Sequence, residues 1–294
     1  MDEQTINNYK QAGKIARDAL NHGKDLIKRG TRVVDVLDKV EEKIKELGAL
    51  PAFPAQISLN EVAAHYCSEE DDETTFDDQV VCLDVGVHVN GFIGDNALTV
   101  DLSNDHKDLV KASREALNAA LEVVKPGAKL ANIGKAIETT ITDAGFQPVR
   151  NLSGHGLGEF NVHSKPTIPN FDTKENATLE ENQAIAIEPF ATTGVGMIEQ
   201  KGDASVFELV GKKSTRIGFV RNIIKEIETY NNLPFTIRWL TKKFSANQVQ
   251  YALNEMRKLG ILKEHPPLVE KQQGLVAQSE HTILVLEDPI ITTN

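Results

Sequence analysis

Four acidic residues stand where ionised groups are costly, beside or within apolar runs. Asp84 closes Val80-Val81-Cys82-Leu83, Glu188 closes Ala184-Ile185-Ala186-Ile187, and Asp95 and Glu280 each begin a later, mostly apolar segment. The dipeptide Asn90-Gly91 between Asp84 and Asp95 is a strong two-residue hairpin signal, because both turn positions must accept positive φ. With that turn, Asp84 sits opposite Ala97 and Asp95 opposite Gly86. Side chains alternate faces along a strand, so Asp84, Gly86, Asp95 and Ala97 share one face. Leu83, Val85, Val87, Val89, Phe92, Leu98 and Val100 take the other, which is expected to be the core. The two aspartates become diagonal neighbours about 7–8 Å apart by backbone. Two carboxylates this close repel unless one is protonated or a cation joins them. A divalent ion with oxygen ligands is the natural remedy.

A histidine is expected to complete such a site. His155 lies in Ser153-Gly154-His155-Gly156, where glycines allow close backbone approach. His163 follows it, and His65 sits in Ala63-Ala64-His65-Tyr66. Four carboxylates and one imidazole suit a pair of divalent ions, whereas a structural zinc would want thiolates or more histidines. There is no Gly-rich phosphate loop, Gly-x-Ser-x-Gly elbow or CxxC motif.

The elements that must carry these residues are written twice. Ala16-Arg17-Asp18-Ala19-Leu20-Asn21 matches Ser113-Arg114-Glu115-Ala116-Leu117-Asn118, 97 positions later. Val33, Val36, Val40, Ile44 and Gly48 align with Leu130, Ile133, Ile137, Ile141 and Gly145, and Pro51 with Pro148. Apolar spacings of three and four, closed by glycines, predict a helix, a turn and a second helix in each half. After a small length change, Gln79–Asp84 aligns with Gln183–Glu188, and Asp95–Leu98 with Glu280–Ile283. Two related halves then bring four acids to a pseudo-two-fold axis.

About 90 residues separate Glu188 from Glu280. Ile217, Val220, Ile223, Ile224 and Ile227 fit one helical face; Ser245 is a candidate N-cap before Val249, Leu253 and Met256, and Gly260 closes that helix. A helical insertion is therefore expected at 200–270, with the main domain at 1–199 and 271–294. From Lys201 to Lys271 there are 13 Lys and Arg against 7 Asp and Glu, compatible with a solvated subdomain or with a surface for RNA.

The whole chain of 294 residues carries net charge -11, which argues against a nucleic-acid coat. Apolar residues make up 40%, enough for a sizeable core. Two cysteines, Cys67 and Cys82, form no disulfide framework and point to a reducing, cytoplasmic setting. Neither a signal peptide nor a membrane-spanning run is expected.

These motifs resemble type II methionine aminopeptidases in their archaeal form. The resemblance rests on Pro51-Ala52-Phe53-Pro54, Asn60-Glu61-Val62-Ala63-Ala64-His65-Tyr66, Asp84-Val85-Gly86, Asn151-Leu152-Ser153-Gly154-His155, Ile187-Glu188-Pro189-Phe190, Arg238-Trp239-Leu240 and Ala277-Gln278-Ser279-Glu280-His281-Thr282. It implies an α+β pita-bread (creatinase/aminopeptidase) fold, with pseudo-two-fold halves around a central antiparallel sheet and a helical, winged-helix-like insertion. It implies metal ligands Asp84, Asp95, His155, Glu188 and Glu280 around two divalent ions (Co, Mn, Fe or Zn), Asp95 and Glu280 bridging both. It further implies that a water or hydroxide between the metals attacks the first peptide carbonyl and that Glu188 shuttles its proton. His163 would steady the carbonyl oxygen, His65 would meet the scissile amide, and Phe53, Val162 and Phe190 would line the methionine pocket.

The partners so implied are the N-terminal methionine of nascent polypeptides and a transient ribosome contact, with no membrane, no DNA and a monomeric chain. The sequence departs from the family's usual pattern at His265, Ser279 and Cys67-Ser68, which bears on the pocket more than on hydrolysis. An Xaa-Pro aminopeptidase or prolidase of the same fold, and a non-catalytic RNA- or ribosome-binding relative, are the competing readings.

Overall fold

The computed structural model describes residues 1–294. The first half contains helices α1 (Glu3–Leu26) and α2 (Val33–Glu46). Strands β1 (Leu50–Pro51), β2 (Gln56–Leu59) and β3 (Val62–Ala64) follow, then the hairpin β4 (Val80–Val89) and β5 (Phe92–Asp101). The second half repeats the plan with α3 (Lys107–Leu121), α4 (Leu130–Asp143), β6 (Gln147–Pro148), β7 (Ser153–Gly158), β8 (Asn161–Pro169), β9 (Gln183–Ile187) and β10 (Phe190–Thr192). The chain then leaves through β11 (Ile198–Gln200) into β12 (Val206–Leu209), α5 (Gly218–Glu228), β13 (Phe235–Thr236), α6 (Ile237–Thr241), α7 (Ala246–Leu259) and β14 (Leu262–His265). It returns through β15 (Leu268–Glu270) to β16 (Val276–Gln278), β17 (His281–Val285) and β18 (Ile290–Ile291).

The repeat is visible in detail. Gly30 and Gly127 both have φ of +80°, a left-handed turn that glycine adopts without a Cβ penalty. Their amides donate to the carbonyls of Phe76 (2.7 Å) and Leu179 (2.8 Å), so each interhelix turn is pinned at the same place. Each half buries the apolar stripe of its helices on its own sheet. One core gathers Leu20, Val36, Val40, Leu83 and Val85; the other gathers Leu117, Ile133, Ile137, Ile185 and Ile283.

The β4–β5 hairpin has the predicted register, with Asp84 opposite Ala97 and Gly86 opposite Asp95. Asn90 and Gly91 take φ of 52° and 87°, the two left-handed residues that such a turn demands. Phe92 takes the expected side, where α1 lies, and packs edge-on against Tyr9 with ring centroids 5.1 Å apart. The second half covers the aspartate face.

The central layer is two antiparallel sheets rather than one continuous ladder. One has the order β1-β4-β2 with β5 on β4; the other runs β18-β17-β9-β7-β8. They meet along a seam sewn by side chains. Thr282 Oγ1 donates to the Asp95 carbonyl and accepts from the Asp95 amide, both at 2.8 Å. The Glu280 amide donates to the Ala97 carbonyl at 3.0 Å, and Thr99 exchanges two bonds with the Gln278 backbone.

The excursion has a third core of Phe207, Ile223, Leu253 and Met256. Its helices follow the predicted apolar stripes, and Gly260 caps α7 at φ 66°. Ser245 occupies the N-cap position, but its hydroxyl donates to the Gln248 side chain instead of capping the helix backbone. The segment is not purely helical: β13, β12 and β14 form a small antiparallel sheet. Its strands are only two to four residues long, too short for alternation to register in the sequence. The flanking strands β11 and β15 pair with each other, so the excursion departs and returns side by side.

Candidate metal centre and substrate cavity

A cavity of about 220 Å³ opens at the seam. Asp84, Asp95, His155, Glu188 and Glu280 all line it, with His65, His163, Phe53, Val162 and Phe190. Every residue singled out from the sequence as a candidate is therefore in one place. The elements explain the convergence. β4 and β5 deliver Asp84 and Asp95, β7 delivers His155, and β9 and β17 pair up to His281–Ile187, leaving Glu280 and Glu188 just beyond the last rung.

Ligand atoms of Asp95, His155 and Glu280 lie within 4.8 Å of one another. His155 Nε2 is 3.6 Å from Glu188 Oε1 and 3.9 Å from Asp95 Oδ2. His155 Nδ1 lies 3.2 Å from the Gly156 carbonyl, which favours the proton on Nδ1 and leaves the Nε2 lone pair facing the acids. Burial, and then the proximity of His163, push the His155 pKa down to about 3. The ring is thus neutral near pH 7, and its short approaches to carboxylates are not ion pairs. They are lone pairs converging on a common point.

The acids carry the same imbalance. Burial pushes Asp84 up to about 7. Burial, and then the charges of Asp84 and Glu188, raise Asp95 well above the ordinary carboxylate range. Glu188 and Glu280 are raised by burial and then by their acidic neighbours. Asp84 Oδ1 and Asp95 Oδ1 are buried with no hydrogen-bond partner. Unpartnered carboxylate oxygens beside an imidazole lone pair fit hard or borderline divalent cations, which would replace the missing positive charge.

Two residues not anticipated from the sequence hold the site. Gln278 Nε2 donates to Glu188 Oε2 (3.1 Å) and Glu280 Oε2 (3.3 Å), while its Oε1 accepts from Cys82 Sγ (3.1 Å). Gln56 Oε1 accepts from the His65 amide at 2.8 Å, where His65 has φ of 64°. That left-handed backbone is uncommon for a residue with a Cβ, and the bond steadies it. Gln278 stands two residues before Glu280, so strand alternation was a usable signal for it. Gln56 gave none.

The cavity's far wall comes from the excursion: Val206, Pro234 and His265. The His265 ring packs edge-on to His65 at 5.4 Å, and its Nε2 lies 3.3 Å from Glu208 Oε2. Burial, then the charges of His265 and His163, lower His65 to about 3. His163 is exposed on one side and packs its ring 4.5 Å from that of His155; burial and then the His265 charge lower it to about 4. Both are neutral near pH 7. Of the other departures, Ser279 is buried with its hydroxyl 3.0 Å from that of Ser113, and Cys67 is buried against Arg238.

A duplicated α+β scaffold that closes carboxylates and an imidazole into one cavity is a donor set for divalent cations, and its relatives make it that of a metal-dependent peptidase. A profile of metallopeptidase family M24 matches residues 7–287. The methionine aminopeptidase of Archaeoglobus fulgidus is 44% identical, over 97% of this chain and 97% of that one. The crystal structure of methionine aminopeptidase from Thermotoga maritima superposes with a TM-score of 0.74 at 25% identity, covering 100% of this chain and 98% of that one. A thermophilic Arx1 superposes at 0.85 with 16% identity over 99% and 91%, a likeness of fold. The chain belongs to metallopeptidase family M24. No helix is long and apolar enough to cross a membrane.

Proposed function

We propose that this chain removes the N-terminal methionine from newly made polypeptides, by hydrolysis of the first peptide bond. The observation that carries this is the convergence in one cavity of five groups able to hold cations with an apolar wall of Phe53, Val162 and Phe190. Asp84, Asp95, His155, Glu188 and Glu280 would hold two divalent ions. When bound, the ions supply Lewis acidity and make water a competent nucleophile near neutral pH.

The chain's own groups do the rest. Glu188, oriented through its Oε2 by Gln278, takes a proton from the attacking water and passes it towards the departing amine. His163, neutral at pH 7, donates to the carbonyl oxygen as charge grows there, a contribution of a few kcal/mol (about 3) in comparable oxyanion sites. His65, held by Gln56, meets the scissile amide. The apolar wall takes the methionine side chain, and a small cavity disfavours bulky second residues.

We assign the ribosome-facing surface to the excursion, where Lys212, Lys213, Arg216, Arg221 and Lys225 have no acidic partner within 4.0 Å. Both halves of the site come from one chain, which supports a monomer, and two buried unpaired thiols support the cytoplasm.

The test is turnover of Met-Ala-Ser and Ala-Pro-Ser followed by mass spectrometry, with a chelator and then Co, Mn, Fe or Zn restored. Release of methionine that a chelator abolishes and a divalent ion restores is the expected result. Cleavage of Ala-Pro-Ser alone would move the chain to the prolidase reading. No cleavage with retention of ribosomal RNA would move it to the binding-only reading.

A further inference from the structure

The motif Arg238-Trp239-Leu240 has no place in the chemistry above, yet Arg238 is among the most deeply buried large side chains, at 1% exposure. Its guanidinium donates through Nη2 to Glu41 Oε1 (2.7 Å) and through Nη1 to Glu41 Oε2 (3.1 Å), a two-pronged bond to α2. It also binds Asp38 of the same helix. Trp239 Nε1 donates to Glu41 Oε2 at 2.8 Å, and Lys242 Nζ to Asp38 Oδ1 at 2.7 Å. This clasp ties the excursion to the first half.

Two short paths lead from the clasp into the cavity. Arg238 follows Thr236 by two residues, and Thr236, Val206 and His265 form one row across the small sheet, since Val206 pairs with both of the others. Arg238 therefore fixes the sheet row that supplies Val206 and His265 to the cavity wall. On the opposite side, Arg238 Nη2 lies 3.7 Å from Cys67 Sγ, and the Cys67 amide donates to Ser205 Oγ at 3.1 Å. Cys67 follows His65 by two residues. One buried guanidinium thus touches the His65 segment, while its own backbone stands two residues from the row that carries His265.

We propose that Arg238 is a positioning residue for the substrate cavity, holding through Glu41, Asp38 and Cys67 the separation of the His65 segment from the wall formed by Val206, Pro234 and His265. It rests on the reading of that cavity as the methionine site. It makes no contact with the metal-binding groups, so its loss changes how substrate fits and leaves the cations in place. Lysine is no substitute, because a point charge on a flexible stem cannot reproduce the fork.

The test uses the full chain with Arg238→Met and, as a gentler change that replaces the carboxylate by a carboxamide of about the same volume, Glu41→Gln; exposed Glu228→Ala on α5 is the control. In metal-loaded enzyme, KM for Met-Ala-Ser is expected to rise about tenfold with kcat within about threefold and metal content unchanged. The chain has one tryptophan, so Trp239 emission reports the clasp directly and is expected to shift red in both clasp variants. The imidazole NMR signals of His65 and His265 are expected to move, and those of Glu228→Ala to stay at wild-type positions. Unchanged KM and unchanged His65 and His265 signals in Glu41→Gln would overturn the assignment, as would a fall in kcat with KM constant. If Arg238→Met does not fold, Glu41→Gln decides alone. A wild-type enzyme inactive on methionyl peptides would remove the functional reading, and the imidazole signals would still decide whether Arg238 sets the spacing.

Discussion

Two clusters of acids lie in or against the interior of this molecule, and they are solved in opposite ways. At the clasp, Glu41 and Asp38 meet Arg238, Lys242 and the Trp239 indole, so the counter-charge is covalently part of the chain. Burial opposes ionisation of Asp38, but Lys242 and Arg238 together hold its pKa below the usual range. At the seam, Asp84, Asp95, Glu188 and Glu280 have one neutral imidazole and one amide among them, and all four are raised. Buried charge is tolerated only when it is paired. The clasp carries its counter-charge within the chain; the seam gathers oxygen and imidazole donors of the kind a divalent cation fits.

The largest effect expected follows from removing an acid at the seam. Asp95→Ala should lose metal and reduce turnover by about a thousandfold or more, as loss of one member of a unit usually does. Metal content by atomic spectroscopy, alongside methionine release, checks it; unchanged turnover would show that Asp95 holds nothing.

The same deletion at the clasp should act on stability instead. Glu41→Ala leaves a buried guanidinium without its main partner, a loss of about 3–5 kcal/mol. Denaturant unfolding of the metal-loaded protein measures it. A loss under about 1 kcal/mol would place the clasp with ordinary surface pairs.

A third experiment reads the sign of the imbalance. In cation-stripped protein, Asp84 has a folded pKa of about 7 against an ordinary value of 3.8. A carboxyl raised on folding favours the folded state below its unfolded pKa and loses that contribution as pH rises through its folded pKa. Asp84→Asn escapes that loss. The variant should therefore be more stable than wild type at pH 8, by an amount that shrinks through pH 6 and vanishes near pH 4. Each pH unit within the window is worth at most about 1.4 kcal/mol for one group. Comparing the two proteins cancels the buried histidines, whose lowered pKa values act in the opposite direction. Urea midpoints at three pH values suffice, and a wild type more stable than the variant at pH 8 would contradict the imbalance.

The seam was legible in the sequence and the clasp was not, for a physical reason. Asn90-Gly91 fixes a hairpin register locally, and the duplication carries that local geometry to Glu188 and Glu280. The helices of both halves announce themselves by apolar spacing. Glu41 and Arg238 lie 197 residues apart, and no periodicity links them. Arg238 was visible only as part of a family motif, with nothing to say that it is buried. The small sheet of the excursion was missed because its strands are too short to alternate, and Gln56 because its role depends on where the His65 backbone turns.

The smallest effect expected separates the charged part of the cavity from its apolar part. Gly86 lies opposite Asp95, and a Cβ there would come within 2.1 Å of the Phe53 ring. Glycine at this point lets the aromatic wall close directly onto the strand that carries the acids. In Gly86→Ala the ring must move, because the atoms met belong to a side chain and the β4 backbone is held here by β5 on one edge and by the Ala52 amide, which donates to the Gly86 carbonyl, on the other. Asp84 and Asp95 keep their positions, so metal content should not change. The methionine side chain loses part of its wall, and one or two methylenes' worth of apolar fit is about 1–3 kcal/mol. KM for Met-Ala-Ser is therefore expected to rise about tenfold while metal stoichiometry stays at the wild-type value. If metal is lost together with affinity, Phe53 supports the acids as well as the substrate, and the two parts of the cavity are one.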